Sequence, residues 1–555
     1  MHEFIAVRVA ECEPLRILAH AGASRRKSKH IRVACVARIC HLGDNGRTDC
    51  NSLDPPGCHF YNPGTHQHWV AKGAGFFALH FGSRCLYGME DTVIENPKAQ
   101  ALFRDALSGR SNRRDIIKRA AAMGLAAPVV AALGQAAHFS SVSAATEGTL
   151  NVTYYDWILN LHPSVNLVNE DFNKTFPLKA EVAPTQGFGI DRFIAEARDK
   201  SSTWDMYIGV TPFLEMIQLA ESGSIEPWDE YLPEGFLTNI PESIKNEGSY
   251  NGKFYVWPFL LDITIQSWNA DLVEKAGLDP SKAPANWDEY LANAKTVQES
   301  GAAPFGLTFD FHAWRSLIPI THSISTDVYD EQGLFIWNSD PAVQALEIMK
   351  EMMQYANPDV LNEGTTDAGV NQTPDEIAFQ QQLAAYYIKY QNAPMRFAAT
   401  WPDPSKLQMS ALPVQEGGAG GTVFWDTGAA LFTYGANKQQ AANYMNALTS
   451  DQRIWQESVA GDPANDVPAV GQLPVQISIW DEYKASPPDW LTANPWATTV
   501  WDALPKASAI APSKLAVTQF NVAAPFYTKY LSGDVSDAKQ ALTDAYDAVK
   551  AEYAK

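Results

Sequence analysis

All six cysteines, Cys12, Cys35, Cys40, Cys50, Cys58 and Cys85, fall within the first 88 residues, and Met89–Lys555 has none. Whatever folds after Met89 must therefore be held by apolar packing alone, with no disulfide to restrict its unfolded state. The same 88 residues carry eight of the twelve histidines and a net charge of +5, from 11 basic and 6 acidic residues. They show no sustained period of 2 or 3.6, the alternations that place one face of a strand or helix in a core. Cys50 with Cys58, His59, His66 and His68 is the cluster that invites a zinc reading. The paired Cys-x-x-Cys spacing of structural zinc sites is missing, so no metal is expected. Residues 1–88 read instead as a non-native, disordered N-terminal extension, with translation starting at Met89.

Ser111-Asn112-Arg113-Arg114-Asp115-Ile116-Ile117-Lys118 resembles a twin-arginine export signal. The apolar run Ala120–Ala137 follows, then the small residues Val142-Ser143-Ala144-Ala145. Charged, apolar and small segments in that order mark a cleavable signal, here 89–145. A membrane anchor would need about 20 strongly apolar residues. This run is Ala-rich and is interrupted by Pro128. A soluble periplasmic location after twin-arginine export, using that machinery as a partner, is the expectation.

Beyond residue 145 there are 24 basic and 52 acidic residues, a net of −28, and 15 of the 16 tryptophans. Such an acidic surface disfavours a nucleic-acid partner, which would need a basic face. Leu150, Val152 and Tyr154 alternate as in a half-buried strand, and Met206, Ile208 and Val210 do so again before Pro212. Helices are expected over Ile190–Ala197, Glu215–Ser222 and Leu272–Ala276, and over Trp287–Ser300, which Gly301 ends. Asp340-Pro341 caps another, and its Val343, Leu346, Met349 and Met353 form a core stripe; Leu542, Tyr546, Val549 and Tyr553 form a second. Strand–helix alternation implies an α/β fold with mainly parallel sheets flanked by helices. The glycine run Gly417–Gly421 and the proline-dense 463–474 and 487–512 read as connectors.

An ordered series of motifs then resembles the family 1 extracellular solute-binding proteins, the sugar-capturing subunits of ABC importers. Leu150–Trp157 is similar to the family's opening strand, and Trp204-Asp205-Met206-Tyr207 to its "PDV" strand. Gly223-Ser224-Ile225-Glu226-Pro227 resembles "G-x-I-x-P-L", and Tyr250–Pro258 resembles "Y-x-G-K-x-Y-G-L-P". Trp268–Pro280 resembles "Y-Y-N-K-D-L-F-x-K-A-G-L-D-P", with Trp268 replacing a tyrosine, and Asn286-Trp287-Asp288-Glu289 the "T-W-D-E" helix start. The segment Gln382–Asn392 departs from its counterpart, lacking the family's glycines and tryptophan; Tyr390 or Trp401 could take that ring's place.

The resemblance implies a two-lobe periplasmic-binding-protein fold of type II with ligand in the cleft between lobes. Crossings are expected near Leu260–Thr264, Val423–Ala429 and 465–472, giving lobe one as 146–262 with 425–468 and lobe two as 263–424 with 469–555. A saccharide offers apolar C–H patches to aromatic rings and hydroxyls to charged or amide groups. On that basis the candidate ligand-binding residues are Asp156, Trp157, Trp257, Asp262, Trp268, Asp310, Trp314, Arg315, Tyr390, Trp425 and Asp426. Only Arg192, Arg198, Arg315, Arg396 and Arg453 follow residue 145, which favours a neutral sugar over a multiply anionic one. The Gly-x-Ser-x-Gly, His-Glu-x-x-His and P-loop signatures are missing after Met89. His162, His312 and His322 lack metal-ligand spacing. The expectation is a monomeric binding protein without catalytic residues or cofactor, handing its solute to ABC permease subunits. The alternatives are a binder of a polyol, sugar acid or other solute, and a secreted carbohydrate-active enzyme needing only two carboxylates.

Overall fold

The computed structural model describes Arg38–Leu42, Thr48–Ser52 and residues 148–554 apart from 177, 186–188, 368–369 and 466. Met1–Tyr87 and Gly88–Lys555 are separate units. In the first, Arg38–Leu42 and Thr48–Ser52 pair antiparallel with Cys40 opposite Cys50, a short hairpin that sequence periodicity did not anticipate. Cys58, His59, His66 and His68, and the whole of the expected signal at 89–145, lie outside the described residues.

The second unit is built on a mixed sheet. Its main strands are β1 (Thr149–Tyr155), β2 (Lys179–Thr185), β3 (Met206–Val210), β4 (Val256–Asn269), β5 (Phe305–Phe309), β6 (Ala384–Tyr390) and β7 (Thr422–Phe432). They lie in the order β5-β6-β4-β7-β3-β1-β2. Pairing is parallel on the flanks, β1 with β2 and β3, and β5 with β6. It is antiparallel wherever β4 and β7 take part in this order. The parallel reading thus holds for each half, and the two long strands that join the halves run against it.

Leu150, Val152 and Tyr154 are fully buried, as their alternation requires. All 14 residues of β4 and all 11 of β7 are buried, because both faces are covered along their whole length. Helix Trp287–Glu299 starts where Asn286 accepts the Glu289 N–H at 2.8 Å and stops before Gly301, whose φ of +72° suits glycine. Gly306 on β5 packs so tightly on that helix that a Cβ would stand 1.9 Å from the Ala294 carbonyl oxygen.

Two cores flank the crossing strands. Core one joins Leu150–Ile265 residues to Ala429–Leu448 and onward through Trp455, Leu473, Trp480, Leu491, Val500 and Leu504. Core two gathers Trp268, Trp287, Leu307, Trp337, Leu346, Tyr386 and Trp425 with Phe520, Tyr527, Leu542 and Val549. Of the three expected crossings, Leu260–Thr264 lies within β4 and Val423–Ala429 within β7. The third does not lie at 465–472. Leu473–Leu504 stays in core one, and the chain reaches core two at Ile510, just after strand β8 (Ala507–Ala509) pairs parallel with β7.

Pairing of β7 is irregular around Gly428, where a Cβ would meet the Trp257 carbonyl oxygen at 2.4 Å and Asp426 Oδ2 at 2.6 Å. Neither neighbour can retreat, one being backbone in a crossing strand and the other a buried carboxyl. Gly428→Ala is expected to cost roughly 1–3 kcal/mol by overpacking. The fall should be read as a lower urea midpoint at unchanged slope.

Candidate ligand-binding site

A cavity of about 140 Å³ opens where the C-terminal ends of strands from both halves meet the crossing strands. Tyr155 ends β1 and Trp157 lies in the first turn of the helix α1 (Asp156–Leu161) that follows. Thr211 and Leu214 follow β3. Trp314 and Arg315 lie in a single 3₁₀ turn, Ala313–Arg315, shortly after β5. Glu376 comes from α2 (Pro374–Gln380), and Tyr390 ends β6 just before Asn392 and Arg396 on α3 (Asn392–Ala398). Asp262 on β4 and Trp425 and Thr427 on β7 complete the wall.

The rings form one connected surface. Trp425 meets Trp314 edge-on at 5.3 Å and Tyr390 at 5.1 Å, while Trp314 and Tyr390 are parallel with centroids 6.4 Å apart. The Arg315 guanidinium lies 4.3 Å over the Trp314 ring. Trp157 comes from the opposite half, packed edge-on to Tyr155 at 5.7 Å.

Beneath this surface lies a buried charge network. Lys389 Nζ is fully buried and sits 2.8 Å from each of Asp310, Asp375 and Glu376. Asp310 also accepts from Arg315 Nη1 at 2.8 Å and pairs with His312 Nδ1 at 2.6 Å. Burial alone would push Asp310 up, but the Lys389 ammonium and Arg315 guanidinium, with His312, hold it well below the usual carboxylate range. On the other wall Asp262 accepts Asn392 Nδ2 and Gln472 Nε2, both at 2.7 Å, and Gln472 Oε1 meets His162 Nε2 at 2.9 Å. Burial pushes Asp262 up to about 7 despite those bonds.

Of the expected site residues, the structure brings Trp157, Asp262, Trp314, Arg315, Tyr390 and Trp425 to the cavity. Five take other places. Asp156 opens α1 and accepts the Trp157 N–H, and Asp310 is the anchor under Arg315. Trp257 is fully buried in core one, its ring tilted against Phe236 at 4.3 Å. Trp268 is buried in core two and donates its indole N–H to the Pro280 carbonyl at 2.8 Å. Asp426 accepts the Phe259 N–H at 2.8 Å inside the sheet. Strand alternation explains the last, for Trp425 and Thr427 share one face of β7 and Asp426 faces the other. Trp401 packs at a tilt against Phe379 and not in the cavity. The sequence reading missed Tyr155, Leu161, Thr211, Leu214, Glu376, Asn392, Arg396 and Thr427.

Close by, Glu215 is 2 % exposed and accepts the Thr211 N–H at 3.1 Å, and burial pushes it up to about 8. A carboxyl raised in the folded state gives stability that is complete below its unfolded value near 4.5 and is lost as pH rises toward 8. Glu215→Gln keeps an acceptor for Thr211 and abolishes the charge. It should raise the melting temperature clearly at about pH 9 and little at about pH 5; equal gains at both would contradict the assignment.

Residues 165–453 match the family model "Bacterial extracellular solute-binding protein", more than half of the chain. The chain belongs to that family. This solute-binding protein is 24% identical over 246 residues to a binding protein of Brucella abortus, covering 43% of this chain and 57% of that one. It is 31% identical over 103 residues to the sn-glycerol-3-phosphate-binding periplasmic protein UgpB of Agrobacterium fabrum, 18% of this chain and 24% of that one. It therefore spans little more than half, or a quarter, of these relatives. Among solved structures it resembles the GacH receptor of Streptomyces glaucescens, with TM-score 0.57 and 18% identity over 73% of this chain and 99% of that one. Maltose-bound MalE3 of T. maritima is similar at TM-score 0.58 and 17% identity, over 73% and 99%. A solute-binding protein of Agrobacterium vitis with bound D-mannitol gives 0.55 and 18%, over 73% and 98%. At such identities the likeness establishes the two-lobe fold that places the cavity between the halves.

Proposed function

We propose that this chain captures one small polyhydroxylated solute, a sugar or polyol, and presents it to the membrane permease of an ABC importer, as an exported periplasmic monomer without catalysis. The observation that carries the reading is the cavity itself. Rings from both halves, Trp157 on one side and Trp314, Tyr390 and Trp425 on the other, face Asp262, Asn392 and two arginines. Rings cover C–H patches while carboxyl, amide and guanidinium groups take hydroxyls, so the walls match a carbohydrate and not a purely apolar molecule. Since the walls belong to both halves, ligand favours the closed form through contacts that the open form lacks.

The neighbours' ligands support the class: acarbose for the GacH receptor, maltose for MalE3 and D-mannitol for the Agrobacterium protein. The cavity, about 140 Å³, is well below the ~300–1,000 Å³ of sites for drug-sized ligands. That favours a single ring or a short polyol over an oligosaccharide. The few arginines after residue 145 argued for a neutral solute, yet two of the five line this cavity. A thermal-shift screen of monosaccharides, disaccharides, polyols and sugar acids tests the reading. A saturating rise in melting temperature with the solute recovered unchanged is expected. Turnover of the solute would favour the enzyme reading, and no shift with any member would sink the proposal.

A further inference from the structure

We infer that the solute carries one acidic group, a carboxylate on a sugar or polyol frame, and that Arg396 receives it. The inference deepens the cleft reading above and rests on it. Arg396 lies one turn after Asn392 on α3, and both line the cavity. Among the described residues its guanidinium has no hydrogen bond or ion pair, and its Nε is buried without a partner. The Phe397 ring lies 5.1 Å from it, and its charge reaches the Asp262 carboxyl without a direct ion pair.

The other charged groups of the wall are engaged. Arg315 is paired with Asp310 at 2.8 Å, Glu376 with Lys389 at 2.8 Å, and Asp262 is held by two amides at 2.7 Å. Acidic residues outnumber basic ones by 52 to 24 after residue 145, so an arginine left without a carboxylate runs against the composition. Holding an unpaired cation in a cleft costs free energy that a protein carboxylate would ordinarily offset. A ligand carboxylate offsets it in the same way. The guanidinium fork fits a carboxylate with two parallel hydrogen bonds, which a hydroxyl cannot match in charge. A single such cation, with the Asp262 carboxyl nearby, suits one negative charge better than the near-double charge of a phosphate ester.

The test is calorimetric titration of the mature chain with D-glucuronate, D-galacturonate and D-gluconate, each beside its neutral counterpart D-glucose, D-galactose or D-sorbitol, and with sn-glycerol 3-phosphate. At least one acid should bind about tenfold or more tighter than its counterpart, ~1.4 kcal/mol. Arg396→Gln should bring the two within about threefold, and Arg396→Lys should restore part of the difference. Arg192→Gln, at a surface pair with Glu196, should change neither. If Arg396→Gln does not fold, the acid-against-neutral ratio of the wild type and Arg396→Lys still decide. Neutral solutes binding as tightly as the acids, with no effect of Arg396→Gln, would overturn the inference and leave the cleft reading standing. Binding of the phosphate ester alone would overturn the carboxylate assignment, and binding of nothing would overturn both.

Discussion

Trp314→Ala is expected to weaken solute binding by about tenfold to a hundredfold, ~1.4–2.8 kcal/mol, while the protein stays folded. Trp314 is half-buried in a 3₁₀ turn at the cavity, on the edge of core two, so its ring is available to a ligand. An aromatic face covering a sugar contributes through burial of apolar surface and its directed C–H contacts. Titration by calorimetry or tryptophan fluorescence reads the loss. An unchanged affinity would place the solute elsewhere. Trp425→Ala should weaken binding as much, but Trp425 is only 5 % exposed and belongs to core two. That substitution should therefore also cost ~3–5 kcal/mol of stability, and Trp314 is the cleaner probe.

Lys389→Met is expected to destabilise the protein by ~3–5 kcal/mol, the range for breaking a buried ion pair from one side. It would leave Asp310, Asp375 and Glu376 facing one another without their shared cation. The deficit should depend on pH in a defined direction. Asp310 is held below its ordinary range, so the stability it gives is present above its unfolded value and is lost as pH falls through its folded one. The gap between wild type and variant should therefore be widest near neutrality and narrow on acidification, as urea melts at several pH values would reveal. A gap independent of pH would mean that Lys389 acts by packing and not by charge. Because Asp310 positions Arg315 and Glu376 stands in the wall, the variant should also bind solute more weakly.

The strands and helices were legible because each depends on local pattern. Leu150, Val152 and Tyr154 announce β1, and Asn286 with Gly301 brackets a helix. The motifs around Pro258 and Trp425 fall on β4 and β7. The packing of residues 473–504 was not legible. Proline-dense stretches read as connectors, yet short helices such as Ile477–Ala485 and Trp496–Ala503 bury Trp480 and Val500 in core one. Tertiary packing decides their place, and no local period reports it.

The site was half legible for a similar reason. Tryptophan and aspartate identify chemistry but not direction. Trp257 and Trp268 stand five residues before and six after Asp262 on the same strand, ~16–20 Å along it, and so pack in cores and not at the cavity. Asn392 and Arg396 carried a usable signal, since they lie on the helix directly after β6, at the strand end where α/β proteins hold ligands. Glu376 carried none, because its place depends on Lys389, thirteen residues on and buried beneath it.

A crystal structure of the protein with the solute that gives the largest thermal shift tests the central claim most directly. The account predicts one intact molecule between the halves, its C–H faces against Trp314, Trp425 or Trp157 and its polar groups on Asp262, Asn392 and an arginine. Density on the outer surface, with the space between those rings holding only water, would contradict it.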